Sequence, residues 1–411
     1  MKMKNVWALA TTFLLTINTT ALVFAQVSDS RALKAAAPQI STPVAFGVSP
    51  TVRTLATVAK GSAQSSSIVR EVRPERGPIV KSTRIVRDGA LQQSMRPAVA
   101  ASAIPNPSLT FEGLRNTDNP FLVAPPDPVG AVGPNHYVEM VNLVFAVYDK
   151  QGNRLAGPTQ IGALWQSFAV PDCSDLSGDP IVLYDKHADR WILTQFTSRG
   201  PTYYNCVAVS QTEDPTGAYF LYAFSSSVFF PDYPKYGVWT DSYVLTSRDF
   251  GPTTEYGISV YALEKNKMLN GDSSARMVHF FLDSAVVPIY LMGDGLLPAD
   301  TDGDQEPRNG TPIPVVGTQD NNGPYGAPTD ALNVYELTVS WKDPSPPPST
   351  RWHSFRWPSS IQAFRVAIRT DREHAVASHN PAPRAESTFC LTGSVPHGAS
   401  LTASSIPTRR W

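Results

Sequence analysis

Four carboxylates recur at every second residue in Asp300-Thr301-Asp302-Gly303-Asp304-Gln305-Glu306. Ca²⁺ requires several hard oxygen ligands converging from one loop, so Asp300, Asp302, Asp304 and Glu306 are the candidate metal ligands. The EF-hand pattern is not met: its glycine position holds Gln305 and its twelfth holds Thr311. The stretch is therefore either a different calcium loop or a solvated acidic turn. No catalytic set is marked by spacing. Hydrolysis of a glycosidic bond needs a pair of carboxyl groups, and 28 acids between residues 108 and 343 offer no pair by pattern. Arg115, Arg154, Arg190, Arg199, Arg248, Arg276 and Arg308 show no cluster of three for a substrate carboxylate. A Gly-rich phosphate loop, HExxH and GxSxG are all missing. Catalytic residues stay unassigned.

The elements that must position any site come from a loose repeat. Each unit opens on a turn containing proline: Asp127-Pro128-Val129-Gly130, Asp179-Pro180-Ile181-Val182, Asp232-Tyr233-Pro234-Lys235 and Leu297-Pro298-Ala299. The prolines are spaced by 52, 54 and 64 residues. Two strands follow in each unit. They are His136–Asn142 with Val144–Asp149, Arg190–Phe196 with Cys206–Ser210, Ser242–Ser247 with Gly257–Ala262, and Pro314–Thr318 with Leu332–Leu337. β-Branched and aromatic residues at period two between turn residues are strand signals. Antiparallel units recurring every fifty or so residues fit blades of a β-propeller, with a two-sheet sandwich as the alternative. The expected fold is all-β: an incomplete propeller of about four blade-like antiparallel repeats. Helix is expected only near Leu263–Leu269. His136 and Arg190 occupy the same place in successive repeats and read as strand starts. His187 falls in the hairpin after Tyr184. Tyr137, Trp191 and Tyr243 recur in register and read as core.

The chain divides into four unlike parts. Residues 1–25 read as a secretory signal, with Lys2 and Lys4 ahead of an apolar run and cleavage after Ala25. Residues 26–107 have 11 basic and 4 acidic residues and a single aromatic, Phe46. They offer little to bury and read as a disordered linker or propeptide. Residues 108–343 hold all 15 tyrosines and a net charge of −15, the composition of the folded part. Residues 344–411 turn rich in proline and arginine, with four of the seven histidines, and read as a second disordered segment. The whole-chain charge of −1 hides these differences. An acidic fold disfavours nucleic-acid partners. No later stretch is long and apolar enough to span a bilayer.

Several stretches resemble a group of uncharacterised secreted bacterial proteins with propeller-like, sialidase-like architecture. They are Ala124–Tyr137, Gly178–Asp185, Asp189-Arg190-Trp191, Asp214–Tyr219, Asp232–Lys235 and Leu296–Asp300. The resemblance covers about 111–341 and implies a propeller without implying an activity. It also implies further blades where this chain becomes Arg/Ser/Pro-rich, so a truncated or frameshifted tail over 344–411 is expected. Cys173 and Cys206 match cysteines of those proteins. In a secreted chain they are expected to form a disulfide, leaving Cys390 over. Ser247-Arg248-Asp249-Phe250-Gly251-Pro252-Thr253-Thr254 is similar to the aspartate-box turn of sialidases, but lacks its tryptophan and occurs once. Asn309-Gly310-Thr311 is a glycosylation sequon, which carries little weight beside a bacterial-type signal.

Three functional expectations follow. The first is a secreted, periplasmic or surface-attached interaction module for an extracellular protein or glycan. The second is a glycosidase-type, sialidase-like hydrolase working in the central channel. The third is a non-functional fragment of either.

Overall fold

The structure, a computed structural model, describes residues 38–58, 70–71, 106–251, 256–342 and 354–356. The expected signal over residues 1–25, Cys390 and nearly all of the 344–411 segment lie outside the described residues. All described residues belong to one unit, Leu33–Trp411. It is built from antiparallel sheets, none of which closes on itself.

The chain begins with two short strands, β1 (Gln39–Ser41) and β2 (Ala45–Val48). A parallel pair follows, β3 (Arg70–Glu71) with β4 (Val123–Ala124). Four meanders then run in order. Sheet I is β5 (Val129–Val132), β6 (His136–Val141), β7 (Val144–Asp149) and β8 (Arg154–Gln160). Sheet II is β9 (Ile181–Asp185), β10 (Arg190–Phe196), β11 (Tyr203–Ser210) and β12 (Tyr219–Ser227). Sheet III is β13 (Phe230–Val238), β14 (Ser242–Phe250), β15 (Gly257–Glu264) and β16 (Met277–Asp283). Sheet IV is β17 (Leu297–Pro298), β18 (Ile313–Gln319), β19 (Ala331–Thr338) and β20 (Ser354–Arg356). The short helix α1 (Lys265–Leu269) sits within the expected stretch. A second single turn, α2 (Ile289–Met292), precedes β17.

The period-two alternation of each strand decides which neighbour it meets. In β10, Trp191 and Leu193 join Val138, Met140 and Phe145 of sheet I, while Ile192 joins Tyr243 and Leu245 of sheet III. In β15, Tyr261 and Leu263 face sheet II, while Val260 and Ala262 face Val315 and Tyr335 of sheet IV. The sheets therefore stack face to face in chain order. Sheets II and III are covered on both faces, so their strands read as almost continuously buried runs. In β18 and β19 the burial alternates, Val315 and Tyr335 buried against Val316 and Val334 half-buried. The outer face of sheet I is met by Phe111, which packs on Tyr137 and Tyr148 at 6.0 and 5.2 Å. His136 and Arg190 open β6 and β10, and Trp191 and Tyr243 are core residues, as their repeat positions imply, whereas Tyr137, read as core with them, is only half-buried because it lies on the outer face of sheet I.

The expected disordered linker over 26–107 needs correction for residues 38–58. This stretch is a strap along the last strands of three sheets. β1 pairs antiparallel with β16, and β2 with β12. Thr57 then bridges Thr159 in β8, where the Val58 N–H donates to Pro158 at 2.8 Å. An outer strand leaves a row of unpaired N–H and C=O groups, and the strap supplies partners for them. Phe46, the lone aromatic of the segment, packs on Tyr222 at 5.2 Å, and Val52 is 1% exposed in the core between sheets I and II.

Candidate functional site

The first strands β5, β9, β13 and β17 lie beside one another in succession. The starts of β5 and β9 and the register shift inside β13, between Asp232 and Lys235, bring three proline-containing turns together. Asp127, Asp179 and Tyr233 each precede a proline and each has positive φ, at 38°, 45° and 49°. Steric clashes make this region rare for residues other than glycine, least so for Asp and Asn. A residue before proline is further biased towards extended backbone. Holding such a conformation costs on the order of 1–3 kcal/mol per residue. Three copies in register show that the turn geometry belongs to the repeat.

Asn142, at the end of β6, ties two of these turns. Its Nδ2 donates to Asp127 Oδ2 at 2.6 Å and to the Pro125 carbonyl at 3.0 Å. Its Oδ1 accepts the Asp179 N–H at 2.9 Å. Asn142 is itself held by buried Asn119, whose amide donates to the Asn142 carbonyl at 2.9 Å and accepts the Leu143 N–H at 2.7 Å. The third turn joins through the Tyr233 N–H, which faces Asp179 Oδ2 at 3.2 Å and Asp232 Oδ1 at 3.1 Å. Lys235 Nζ lies 3.7 Å from the centre of the Tyr233 ring. Further along, Arg248 is 6.0 Å from that ring and 3.4 Å from Asp294, which accepts the Tyr325 hydroxyl at 2.6 Å.

The electrostatics are uneven. Burial, with Asp232 and then Asp127 adding repulsion, pushes Asp179 up to about 7. Burial also lowers Lys235, against the pull of the surrounding carboxylates. At neutral pH the three turns thus combine a carboxyl that can carry a proton, further acidic side chains, an amine and an aromatic face. Such a set can accept hydrogen bonds from hydroxyl groups and can give a proton to an ether-type oxygen.

The opposite ends of the same strands hold the residues singled out as a calcium loop. The structure sends them to different partners. The Val238 N–H donates to Asp300 Oδ1 at 2.7 Å, and burial followed by Asp302 raises Asp300 to about 7. Asp302 is exposed. Asp304 receives Lys186 Nζ at 2.5 Å on the surface, and Glu306 lies 3.9 Å from Lys265. Among the described residues no three acidic, His or Cys groups gather as metal ligands. Beneath the loop, Lys265 makes a buried pair with Asp185 at 2.9 Å, and Asp185 also accepts Tyr243 Oη at 3.0 Å. This bonding pins sheet III to sheet II.

Ser247 and Asp249, from the stretch similar to an aspartate box, lie in β14; its Pro252–Thr254 portion is outside the described residues. Asp249 accepts the hydroxyls of Ser247, at 2.6 Å, and of Ser259. His279 Nε2 is 2.8 Å from Ser259 Oγ. Serine, histidine and aspartate meet here, yet the aspartate binds the serines, all three are buried, and burial lowers His279 to about 4. The arrangement is an internal hydrogen-bonded chain. Cys173 and Cys206 are joined in a disulfide with Cα atoms 5.8 Å apart.

Asp127, Asp179, Asp232, Lys235 and Asn142 were not separable as site residues by motif. The available signal was an aspartate directly before proline at the first two repeat starts and one residue further off at the third, which also reads as simple turn chemistry. No helix of the described residues is long and apolar enough to cross a membrane. Comparison with protein families, curated proteins and solved structures finds no match to this chain.

Proposed function

We propose that this chain is a secreted binding module whose four sheets are the blades of an incomplete propeller, with its ligand held at the Asp127, Asp179 and Tyr233 turns. The observation that carries this reading is the convergence of the three positive-φ, pre-proline turns on one point. Strain retained in register at one spot is a mark of function. The face-to-face stacking of sheets I to IV supports the propeller, and the alternating burial of sheet IV is what a terminal blade without a closing neighbour would have. Secretion rests on the apolar N-terminal stretch and is supported by the Cys173–Cys206 disulfide.

The ligand class that suits these turns is a neutral, polyhydroxylated molecule such as a glycan. Lys235 already supplies a cation among the carboxylates, so a cationic ligand would compete with it. A glycosidase-type activity is the second reading, favoured by Asp179 being able to hold a proton beside other carboxyl groups. A panel of soluble oligosaccharides and chromogenic glycosides, tested on the full chain and on Asp179→Asn, separates the two. Binding without turnover supports the module. Turnover lost in the variant supports the hydrolase. Failure of every glycan to bind or react removes both.

A further inference from the structure

We infer that the outer edges of sheets II and III form a peptide-binding groove working by strand addition, with segment 38–58 as its built-in, detachable occupant. This inference is independent of the ligand reading at the proline turns. The segment is held as an extended peptide ligand is held: main-chain bonds run along an edge, and side chains at intervals fill particular places. Gln39, Ile40 and Ser41 pair with His279, Val278 and Met277. Ala45 to Val48 pair with Ala223 to Phe220. The Val52 and Arg53 N–H groups donate to Gly217 and Thr216 at 3.0 and 3.1 Å.

Four residues carry the selectivity. Phe46 lies on Tyr222 and Phe220. Gly47 admits the edge of Phe168, because a Cβ there would stand 3.1 Å from that ring. Val52 is fully enclosed. Arg53 reaches Asp214 and lies 2.6 Å from the Thr216 hydroxyl. The recognised chemistry is thus an extended chain with an aromatic residue followed by glycine, then, after four residues, an aliphatic residue followed by arginine.

Detachment leaves the core between sheets II and III intact and withdraws Val52 from the core between sheets I and II. All three residues of β1 are exposed, and those of β2 are half-buried or exposed. The core between sheets II and III is made by those sheets' own residues, with Phe46 only at its margin. Opening the segment would present the unpaired rows of β12 and β16 to another chain of the same pattern.

Two measurements test the inference on the whole chain. In native-state hydrogen exchange, amides of 44–53 should open at low denaturant while those of β10, β11, β14 and β15 stay protected. Exchange of all of them in one global event would overturn it. In a full-length chain carrying a protease site between residues 59 and 69, the segment should remain bound after cutting. A labelled peptide of residues 38–58 should then exchange into the groove, and its Phe46→Ala version should bind at least about tenfold more weakly, equivalent to about 1.4 kcal/mol. Loss of the segment without rebinding, or equal binding of both peptides, would refute the groove.

Discussion

Replacing Asp249 by asparagine should remove a defined share of the protein's pH dependence. The Asp249 carboxyl is enclosed in sheet III, and its oxygens accept the hydroxyls of Ser247 and Ser259. Burial pushes it up to about 7 from an ordinary value of 3.8, against the two hydroxyls, with the Asp232 charge adding to the rise. A carboxyl raised in the folded state binds its proton more tightly there than in the unfolded chain. Its contribution to stability is therefore complete below about pH 4, falls as pH rises towards 7, and is gone above that. Three units at 1.36 kcal/mol each give about 4 kcal/mol as the full span. His279 stays neutral over most of this window, since burial holds it near 4. An amide of the same shape cannot titrate, and the serine hydroxyls can turn to accept from it. Urea unfolding of the two proteins from about pH 4.5 to about pH 8 isolates the effect, because Asp179 and Asp300 titrate in both. The variant should gain on the parent by about 3 kcal/mol across this range, the part of the full span that lies above about pH 4.5. A stability difference constant within about 0.5 kcal/mol would refute the buried-acid reasoning.

Further outcomes follow from the same contacts. Cys173→Ser with Cys206→Ser should lower unfolding free energy by about 3–4 kcal/mol on the chain-entropy view, and reductant should do the same to the parent but not to the variant. Lys265→Met should leave Asp185 buried beside Tyr243 without its ion partner, costing about 3–5 kcal/mol in denaturant unfolding. Adding Asp185→Asn to that variant should recover part of the loss; a further drop would contradict the pairing.

The sequence pattern reveals the middle of each sheet and hides its edges. β6, β7, β10, β14, β15, β18 and β19 stand where alternation and β-branched residues place them. These central strands each bury at least one full face, so their composition is constrained. The fourth strands are less legible: β8 carries Gly157 and Pro158, and β16 places His279 and Asp283 among its apolar residues. The strap was hidden for a different reason. An added edge strand needs mainly backbone groups, and Phe46 and Val52 are too few to raise the apolar content of 26–107. Asp127 and Asp179 were visible as turn residues, but their meeting with Asn142 depends on the stacking of sheets I and II. The acidic stretch from Asp300 to Glu306 looked more like a single site than it is, because Lys186 and the Val238 N–H draw its members apart.

The central claim is that ligand binds at the proline turns and not at the acidic loop on the opposite ends of the strands. Asparagine tolerates positive φ, so Asp179→Asn keeps the turn, and Asp300→Asn provides the matching control at the other end. Calorimetric titration of the best-binding oligosaccharide into the parent and both variants decides between them. A charged or proton-donating contact is worth about 1.5–3 kcal/mol, so Asp179→Asn should weaken binding by roughly tenfold to a hundredfold, with Asp300→Asn unchanged. Binding that survives Asp179→Asn and is lost in Asp300→Asn would contradict the account.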